Sequence, residues 1–402
     1  MPDLIRNILK LVFWLCLSAT VYTYFLYPLL IMALSRLTRR RCHQTTIPYQ
    51  ASSDNNLLLP SVTMVISAYN EANILPDKIS NCLSIDYPAD KIHFLIGSDG
   101  SDDGTAQILR SISDDRFTTL HSRVRRGKVQ MLNRLMEMPL KSDIVVFSDA
   151  NTMYQPDSIR HLVQPFDDPK VGCAIGKLEL TASSDDRDVC QPEGLYWRYE
   201  NRIKRLENAF GAVPSINGGI FAIRRRLFEE LPGQTVTEDQ VLGMKIMTRG
   251  YHCRFAEKAC ARETVSNWAG ELRRRIRISA GNFQSLFLVP RILHPRLGRV
   301  CFAFVSHKLL RWLVPFFLTG MLIANILLVG QPFYGSTLLL QGLFYLSGLI
   351  GATLGKLGSL PKILAVPKYF IAMNAAILLG LARFLTRRQP TTWAKVARRR
   401  PD

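Results

Sequence analysis

The sequence predicts an α/β protein with a mixed, mainly parallel sheet that is attached to a membrane at both ends of the chain. Three apolar, β-branched segments are each followed by a short polar segment and then by a helical pattern. Strand, loop and helix repeated in this order indicate parallel strands with right-handed crossovers. Two stretches without a charged residue, 11–35 and 312–355, flank this region. Each can cross a bilayer core of about 30 Å, and the second can cross it twice.

The three predicted strands end in polar segments that point to one binding edge. We expect strands over 61–67, 92–97 and 143–147, and helices over 74–84, 104–112 and 128–138. The segments AYNEAN, SDGSDDGT and SDANT follow the strands. Ligands of open parallel sheets bind beyond the carboxyl ends of the strands. The sequence therefore predicts that these polar side chains share a site.

Composition divides the 402-residue chain into six predicted segments. The polar central domain is expected between two apolar regions, with an amphipathic interfacial helix where the second region begins. The segments are an anchor with a basic stop over 1–41, a linker over 42–59, the α/β domain over 60–282, the interfacial helix over 283–300, a transmembrane region over 301–386 and a basic tail over 387–402.

The net charge of +19 is concentrated beside the apolar regions. Arginines follow the first region at 36–41 and the last at 387–400, which favours anionic lipid over nucleic acid as the partner. The α/β domain is then expected on the cytoplasmic face. One span before the domain and three after it would put the basic tail on the opposite face. Either one C-terminal segment does not cross, with 356–368 as the expected interfacial piece, or the tail departs from the positive-inside rule.

Asp149 and Asn151 close the third predicted strand with two oxygen-bearing side chains at positions i and i+2. Mg²⁺ and Mn²⁺ prefer oxygen ligands, and substrate phosphates usually complete their coordination. The pair predicts a metal site, with a simple Asn-Thr turn as the alternative.

The other polar segments also carry groups that suit a nucleotide. The ring of Tyr69 can stack on a base, and Asp99 can accept hydrogen bonds from a base or ribose, although a turn and a helix N-cap explain Asp99 as well. Lys128 can neutralise a phosphate or lie on a solvated basic face. Arg274 and Arg277 share one helix face and can clamp a diphosphate or contact lipid headgroups.

Two further motifs can serve the second substrate of a transfer reaction. Gly218 and Gly219 leave room for a sugar ring beside the backbone, or form a β-turn. Asp239 suits a general base for a hydroxyl proton. An acid at the start of a helix is also favoured by the helix dipole alone.

Taken in order, these motifs resemble the processive-type family 2 glycosyltransferases, such as hyaluronan, chitin, cellulose and poly-N-acetylglucosamine synthases. The order is AYNE, SDGSDDGT, RGK, SDAN, NGG, TED and RRRIR, followed by apolar segments. The resemblance covers about residues 60–285. It implies a GT-A-like, Rossmann-type nucleotide-sugar-binding domain in a bacterial inner membrane. It also implies inverting hexosyl transfer from a UDP-sugar, with Mg²⁺ or Mn²⁺ as cofactor.

The same resemblance implies a role for each candidate residue. The donor base is assigned to one group, the diphosphate and metal to a second, and the acceptor to a third. The nucleotide base would lie against Ala68, Tyr69, Glu71 and Asp99, and the phosphates would lie near Lys128, Arg274 and Arg277. The metal would be bound by Asp149 and Asn151. The acceptor would lie beside Gly218, Gly219 and Asp239, and Asp239 would be the general base.

Three positions depart from the family pattern. Asn151 replaces the second acid of the DxD motif, which lowers the charge of the metal site. Arg274 replaces the Gln of the QxxRW motif, and Ile278 replaces its Trp. These departures leave two acceptors open, a growing polysaccharide and a lipid-linked glycan that receives one or a few sugars.

Other functions explain the same residues less well. A single transfer to polyprenyl phosphate remains open. A dinucleotide-dependent oxidoreductase would need G-x-G-x-x-G after the first strand, which is absent. A transporter or scaffold without enzymatic activity would have no need of acids at the strand ends.

Overall fold

The structure, a computed structural model, describes residues 2–41, 59–140, 142–181, 187–264, 268–354 and 361–390. Nearly all of the predicted linker 42–59 and most of the predicted tail 387–402 lie outside these residues. The described part consists of one α/β domain and four long apolar helices. The predicted fold class is therefore confirmed.

The domain is built on an eight-stranded sheet with the order β3-β2-β1-β4-β7-β6-β8-β5. Strands β1 to β4 run parallel, and β7 is antiparallel to both β4 and β6. The strands are β1 Val62–Ala68, β2 Ile92–Asp99, β3 Phe117–Ser122, β4 Ile144–Asp149, β5 Thr152–Tyr154, β6 Val171–Thr181, β7 Phe221–Arg224 and β8 His252–Thr264.

Within the described residues, thirteen α-helices cover the sheet and form the apolar helical region. Helices α3, α4 and α5 follow β1, β2 and β3 close to the predicted positions. The helices are α1 Asp3–Val21, α2 Tyr27–Arg41, α3 Leu75–Leu83, α4 Thr105–Arg110, α5 Lys128–Glu137, α6 Ser158–Val163, α7 Arg187–Phe210, α8 Glu238–Thr248, α9 Trp268–Leu288, α10 Arg299–Ala303, α11 Leu310–Leu327, α12 Pro332–Leu354 and α13 Lys362–Leu385.

Alternation along the strands divides the core into two layers. Successive side chains of a strand point to opposite faces, so Val65 packs with residues of α5 and α8, while Met64 and Ile66 pack with residues of α3 and α6. Both faces are apolar because helices cover both. The central strands therefore read as continuous apolar segments.

The carboxyl ends of the parallel strands meet at one edge, as predicted. Ser67 is the register partner of Asp149, and Ala68 is the partner of Ser98. Asp99 at the end of β2 is the partner of Ser122. The polar segments that follow these strands therefore start side by side.

In the part of the chain that the structure describes, four helical segments are long and apolar enough to cross a membrane: Asp3–Thr38, Arg299–Leu327, Pro332–Leu354 and Ile363–Leu385. The first and second each contain a short π-helical segment, at Tyr22–Leu26 and Phe304–Leu309. The two segments touch where the Tyr22 hydroxyl lies 2.9 Å from Ser306 Oγ.

A buried polar cluster joins the domain to these helices. Glu200 on α7 accepts hydrogen bonds from Lys308 Nζ and Arg311 at 2.8 Å each. Glu207, two turns further along the same helix face, accepts a hydrogen bond from the Tyr27 hydroxyl at 2.7 Å, and His307 Nδ1 lies 2.7 Å from the same oxygen. Burial acts to raise the pKa of Glu200, but the neighbouring cations outweigh it and hold that pKa well below its usual range.

The predicted interfacial helix over 283–300 differs from the structure. Helix α9 begins earlier, at Trp268, and ends at Leu288, and two 3₁₀ turns, Pro290–Leu293 and Pro295–Leu297, follow it. The prolines stop the helix because they lack an amide donor and clash with the preceding turn. Ile292 is fully buried in the core of the domain.

Helix α13 packs along α9. Trp268 lies 6.2 Å from Tyr369 at one end, and Phe287 lies 5.2 Å from Phe384 at the other, measured between ring centroids. Between them, a Cβ on Gly380 would approach the backbone of α9 to 2.8 Å. Of the predicted interfacial piece 356–368, residues 356–360 lie outside the described chain, and α13 begins at Lys362.

Candidate active site

A cavity of about 1070 Å³ opens above the carboxyl ends of the parallel strands. All but one of the residues predicted for the site line this single cavity: Tyr69, Glu71, Asp99, Lys128, Asp149, Asn151, Gly218, Gly219, Asp239, Arg274 and Arg277. The exception is Ala68, which is 1% exposed and packs in the core below the sheet. Side chains alternate along β1, so Ser67 and Tyr69 face the cavity and Ala68 faces away.

The carboxylate of Asp99 anchors the loop before α5. Its two oxygens accept hydrogen bonds from the backbone amides of Arg126 at 2.8 Å and Gly127 at 2.7 Å. Gly127 has a φ of 100°, and Gly100 has a φ of 68°. A Cβ on Gly100 would lie 2.5 Å from the amide nitrogen of Arg125. The glycines thus allow the β2 loop and the RGK loop to approach closely.

Arg125 covers the ring of Tyr69 at the same end of the cavity. Its guanidinium carbon lies 3.6 Å from the ring centroid. Together the aromatic ring and the planar guanidinium form a flat, cationic surface of the kind on which bases stack. Glu71 follows in the same loop, and its amide donates a hydrogen bond to Thr105 Oγ1 at 2.9 Å.

Lys128 connects two acidic segments at the centre of the site. Its Nζ lies 2.5 Å from Asp149 Oδ1 and 2.6 Å from Glu238 Oε1. Burial acts to lower the pKa of Lys128, but the charges of Asp149 and Glu238 outweigh it and raise that pKa above its ordinary value. The amine is therefore a fixed positive charge at neutral pH.

Asp239 lies beside Gly218 at the opposite wall. A Cβ on Gly218 would come within 3.3 Å of Asp239 Oδ2, so glycine keeps the space next to the carboxylate open. Burial and the charge of neighbouring Glu238 raise the pKa of Asp239 to about 7. A carboxylate with such a pKa is well matched to accept a proton near neutral pH.

The arginines of α9 enter the cavity from the side. Arg274 lies 3.6 Å from Glu263 and 3.7 Å from Glu271. Arg277 donates a hydrogen bond to the carbonyl of Val236 at 3.3 Å. Both side chains line the same cavity as Lys128, so this side of the cavity is cationic.

The ligand set fits a divalent cation that shares its coordination with a substrate. Asp149 offers a carboxylate and Asn151 an amide, whose nitrogen donates to Glu263 Oε1 at 3.0 Å. Among the described residues there is no cluster of three or more His, Cys, Asp or Glu side chains. Mg²⁺ and Mn²⁺ sites with one or two protein ligands and phosphate oxygens are common, so the residues present suit that kind of site.

The residues in or below the cavity that the sequence does not predict include four charged side chains besides Arg125. Glu238 pairs with Lys128, Glu263 with Asn151 and Arg274, and Lys204 Nζ donates to Asn217 Oδ1 at 3.0 Å beside Gly218. Lys78 is fully buried and donates to Ser148 Oγ at 2.8 Å and the carbonyl of Thr152 at 2.5 Å. Only Lys78 has a signal in the sequence, because it shares the apolar helix face of Leu75 and Cys82.

The arrangement combines a base, a cationic wall and an aromatic platform around one space. A proton can be accepted at Asp239, negative charge can be stabilised at Lys128, Arg274 and Arg277, and a flat ring can stack at Tyr69. These are the requirements of a reaction in which a hydroxyl displaces a phosphorylated leaving group.

Comparison with known proteins agrees with this chemistry. The profile described as "Glycosyltransferase like family 2" matches residues 60–281. Poly-beta-1,6-N-acetyl-D-glucosamine synthase of Staphylococcus aureus is 27% identical over 234 residues, which are 57% of this chain and 56% of that protein. The synthase of Staphylococcus epidermidis is 25% identical over 231 residues, 56% of this chain and 55% of that protein. The chain thus matches about half the length of these relatives.

Among solved structures, the chain is similar to the mannosyltransferase PcManGT from Pyrobaculum calidifontis, in complex with GDP-Man and Mn²⁺. The TM-score is 0.65 at 21% identity, and the match covers 94% of this chain and 99% of that one. The similarity extends through the apolar helices as well as the α/β domain. It confirms the GT-A-like fold.

Removing the central amine should destabilise the site. We expect Lys128→Met to lower the free energy of unfolding by about 1–3 kcal/mol, because Asp149 and Glu238 lose their shared partner. The measurement is the thermal unfolding temperature of the detergent-solubilised protein. The control is Lys258→Met at an exposed lysine, which should stay within about 0.5 kcal/mol. Equal unfolding temperatures for the two variants would contradict the bridging role.

Proposed function

Because the chain belongs to glycosyltransferase family 2, we propose that it transfers a sugar, with inversion, from a nucleotide-sugar to an acceptor hydroxyl at the cytoplasmic face of a membrane. The observation that carries this proposal is Asp239, a carboxylate of raised pKa that shares one cavity with Asp149 and Lys128. The acceptor is a polysaccharide or a lipid-linked glycan. A UDP-sugar is the proposed donor.

In this reaction Asp239 is the general base. The acceptor hydroxyl enters beside Gly218, where the absence of a side chain leaves space next to Asp239 Oδ2. As the hydroxyl oxygen bonds to the anomeric carbon, its proton moves to Asp239. A base of this kind typically accelerates a reaction by about 10²–10⁴-fold.

The cationic wall stabilises the departing diphosphate. Lys128 supplies a fixed charge, and Arg274 and Arg277 supply planar guanidinium groups that suit phosphate oxygens. A divalent cation held by Asp149 and Asn151 would neutralise further charge on the diphosphate. Positioning two substrates in one cavity supplies part of the rate by itself.

The nucleotide is proposed to lie at the other end of the cavity. Its base stacks on the surface formed by Tyr69 and Arg125, next to Glu71 and Asp99. The relatives support sugar-nucleotide chemistry without fixing the sugar, since the curated proteins are poly-N-acetylglucosamine synthases and the solved structure holds GDP-Man. The screen described below therefore varies both the nucleotide base and the sugar of the donor.

The deciding experiment is a screen of UDP- and GDP-sugars for nucleotide release by the purified full chain with Mg²⁺ or Mn²⁺. We expect release with one donor, and Asp239→Asn should bind that donor but lose about 10²–10⁴-fold in rate. The matched control is Asp115→Asn at an exposed acid outside the cavity. A near-normal transfer rate for Asp239→Asn would show that this residue is not the general base. If the wild-type protein released no nucleotide from any donor, the proposed function would be overturned.

The raised pKa of Asp239 predicts the pH dependence. Only the ionised carboxylate can accept the proton, so kcat/KM should rise with pH and level off above about 7. Glu238→Gln removes a negative charge that raises this pKa, so the inflection should move to lower pH. The control Glu137→Gln, at an exposed helix position outside the cavity, should leave the inflection in place. An unchanged inflection in Glu238→Gln would show that another group titrates.

We further propose that the chain crosses the membrane three times and that α13 lies at the cytoplasmic interface. Helix α9 contributes arginines to the cavity and leads into Ile292 in the core of the domain, so both ends of α9 lie on the side of the domain. Helix α13 runs along α9 between Tyr369 and Phe384. Its first half also packs against α12, where a Cβ on Gly351 would lie 2.7 Å from the carbonyl oxygen of Leu364. We therefore propose that α13 lies between the domain and the spans rather than across the bilayer. The basic tail then stays cytoplasmic, in agreement with the positive-inside rule.

This topology predicts the side of the C-terminus. A reporter fused after residue 390 should lie on the same face as the α/β domain, and one fused after residue 330, between α11 and α12, on the opposite face. Alkaline phosphatase and green fluorescent protein fusions measure the two faces in bacterial cells. If both fusion points gave the same face, α13 would cross the membrane.

A further inference from the structure

The cavity of the active site continues into the region of the apolar helices. Most side chains that the apolar helices contribute to its lining are aliphatic or aromatic, and Lys308, Arg311 and Arg383 are the charged ones among the described residues. The apolar section is lined by Phe25, Phe344, Val366, Phe370, Met373 and Ile377, from the first apolar helix, α12 and α13. The polar and apolar sections are parts of one continuous space.

The apolar section reaches the outer surface of the membrane helices. Phe25 is 67% exposed and Val366 is 49% exposed, although both line the cavity. Each belongs to a segment that is apolar enough to lie in a membrane. Between them, Tyr24 on one wall contacts Phe370 on the other, with ring centroids 5.5 Å apart. Because Phe25 lies on a span and Val366 on the interfacial helix α13, an opening between them faces the hydrocarbon edge of the cytoplasmic leaflet rather than water.

A buried amide within this section lacks one partner. Asn374 is 7% exposed and lines the cavity. Its Nδ2 donates a hydrogen bond to the carbonyl of Phe370 at 2.9 Å, while Oδ1 has no hydrogen-bond partner among the described residues. A buried acceptor without a donor is unfavourable. A hydroxyl group on a bound molecule would supply that donor.

From these observations we infer that the acceptor is carried on a long hydrocarbon chain that enters the apolar section from the membrane. The inference rests on the proposed function and names its acceptor class. Transfer of a hydrocarbon chain from water to these apolar side chains is favourable in free energy. A hydrated glycan would instead lose hydrogen bonds to water there. Ile278, which lines the same cavity, offers no flat aromatic surface to a passing sugar chain.

In the transfer itself, the hydroxyl or phosphate oxygen of this lipid forms the new bond to the anomeric carbon. The bond from that carbon to the donor phosphate breaks, and its electron pair leaves with the nucleoside diphosphate. A hydroxyl acceptor gives its proton to Asp239, and an ionised phosphate acceptor has none to give. The two kinds of lipid acceptor therefore differ in their need for the base.

The first test compares acceptors with the full-length wild-type protein and the donor found in the screen. The probes are a polyprenyl phosphate, a polyprenyl-diphosphate-linked N-acetylglucosamine and water-soluble N-acetylglucosamine oligomers. We expect transfer to one of the lipids, with KM falling as its chain lengthens. Equal or better transfer to the water-soluble oligomers would overturn the inference while leaving the proposed function intact. Nucleotide release from no donor would instead count against the function.

The second test narrows the opening. Val366→Trp fills space at the mouth, and we expect it to raise the KM for the lipid acceptor by about tenfold relative to Leu379→Trp. Leu379 is the matched control because it lies on the same helix, is 51% exposed and is not a lining residue of the cavity. If the two variants had the same KM for the lipid, the hydrocarbon chain would not use this opening.

Discussion

The ion bridge from Lys128 to Asp149 and Glu238 is the interaction on which the site depends. It joins the start of α5, the end of β4 and the start of α8, three elements that are far apart in the chain. Without it, two carboxylates would face each other across a partly buried space. Burial is the main cause of the raised pKa of Asp239, and the same charges modify it, because Glu238 raises that pKa further and Lys128 lowers it. The ion bridge therefore both holds the three elements of the site together and affects the pKa of its proposed general base.

A second set of buried charges joins this site to the apolar helices. Glu200 and Glu207 on α7 bind Lys308, Arg311, His307 and Tyr27 of the apolar helices. Lys204, between them on α7, holds Asn217 next to Gly218. Removing one partner from such a cluster leaves a buried charge uncompensated. The position of the membrane helices is therefore linked to the space beside the proposed base.

The cavity lies where these two environments meet. Its polar end is defined by strand ends and loops of the domain, and its apolar end by helices that also cover the arginines of α9. A soluble domain alone would leave that side open to water. Water exclusion strengthens charge–charge interactions, so the helices contribute to the proposed chemistry as well as to attachment.

Apolar periodicity and polar strand ends predicted β1, β2 and β4 of the eight described strands, their shared edge and most of the candidate site, because both are local properties of the chain. Asp99, Asp149 and Asp239 line one cavity, as predicted. Ala68, which the family resemblance assigned to the donor base, faces the core because its side chain alternates with those of Ser67 and Tyr69. Tertiary structure alone decided that Glu238 and Glu263 belong to the site and that α13 lies along α9. Such pairings depend on the distance between elements remote in sequence, and neither periodicity nor motif spacing records that distance.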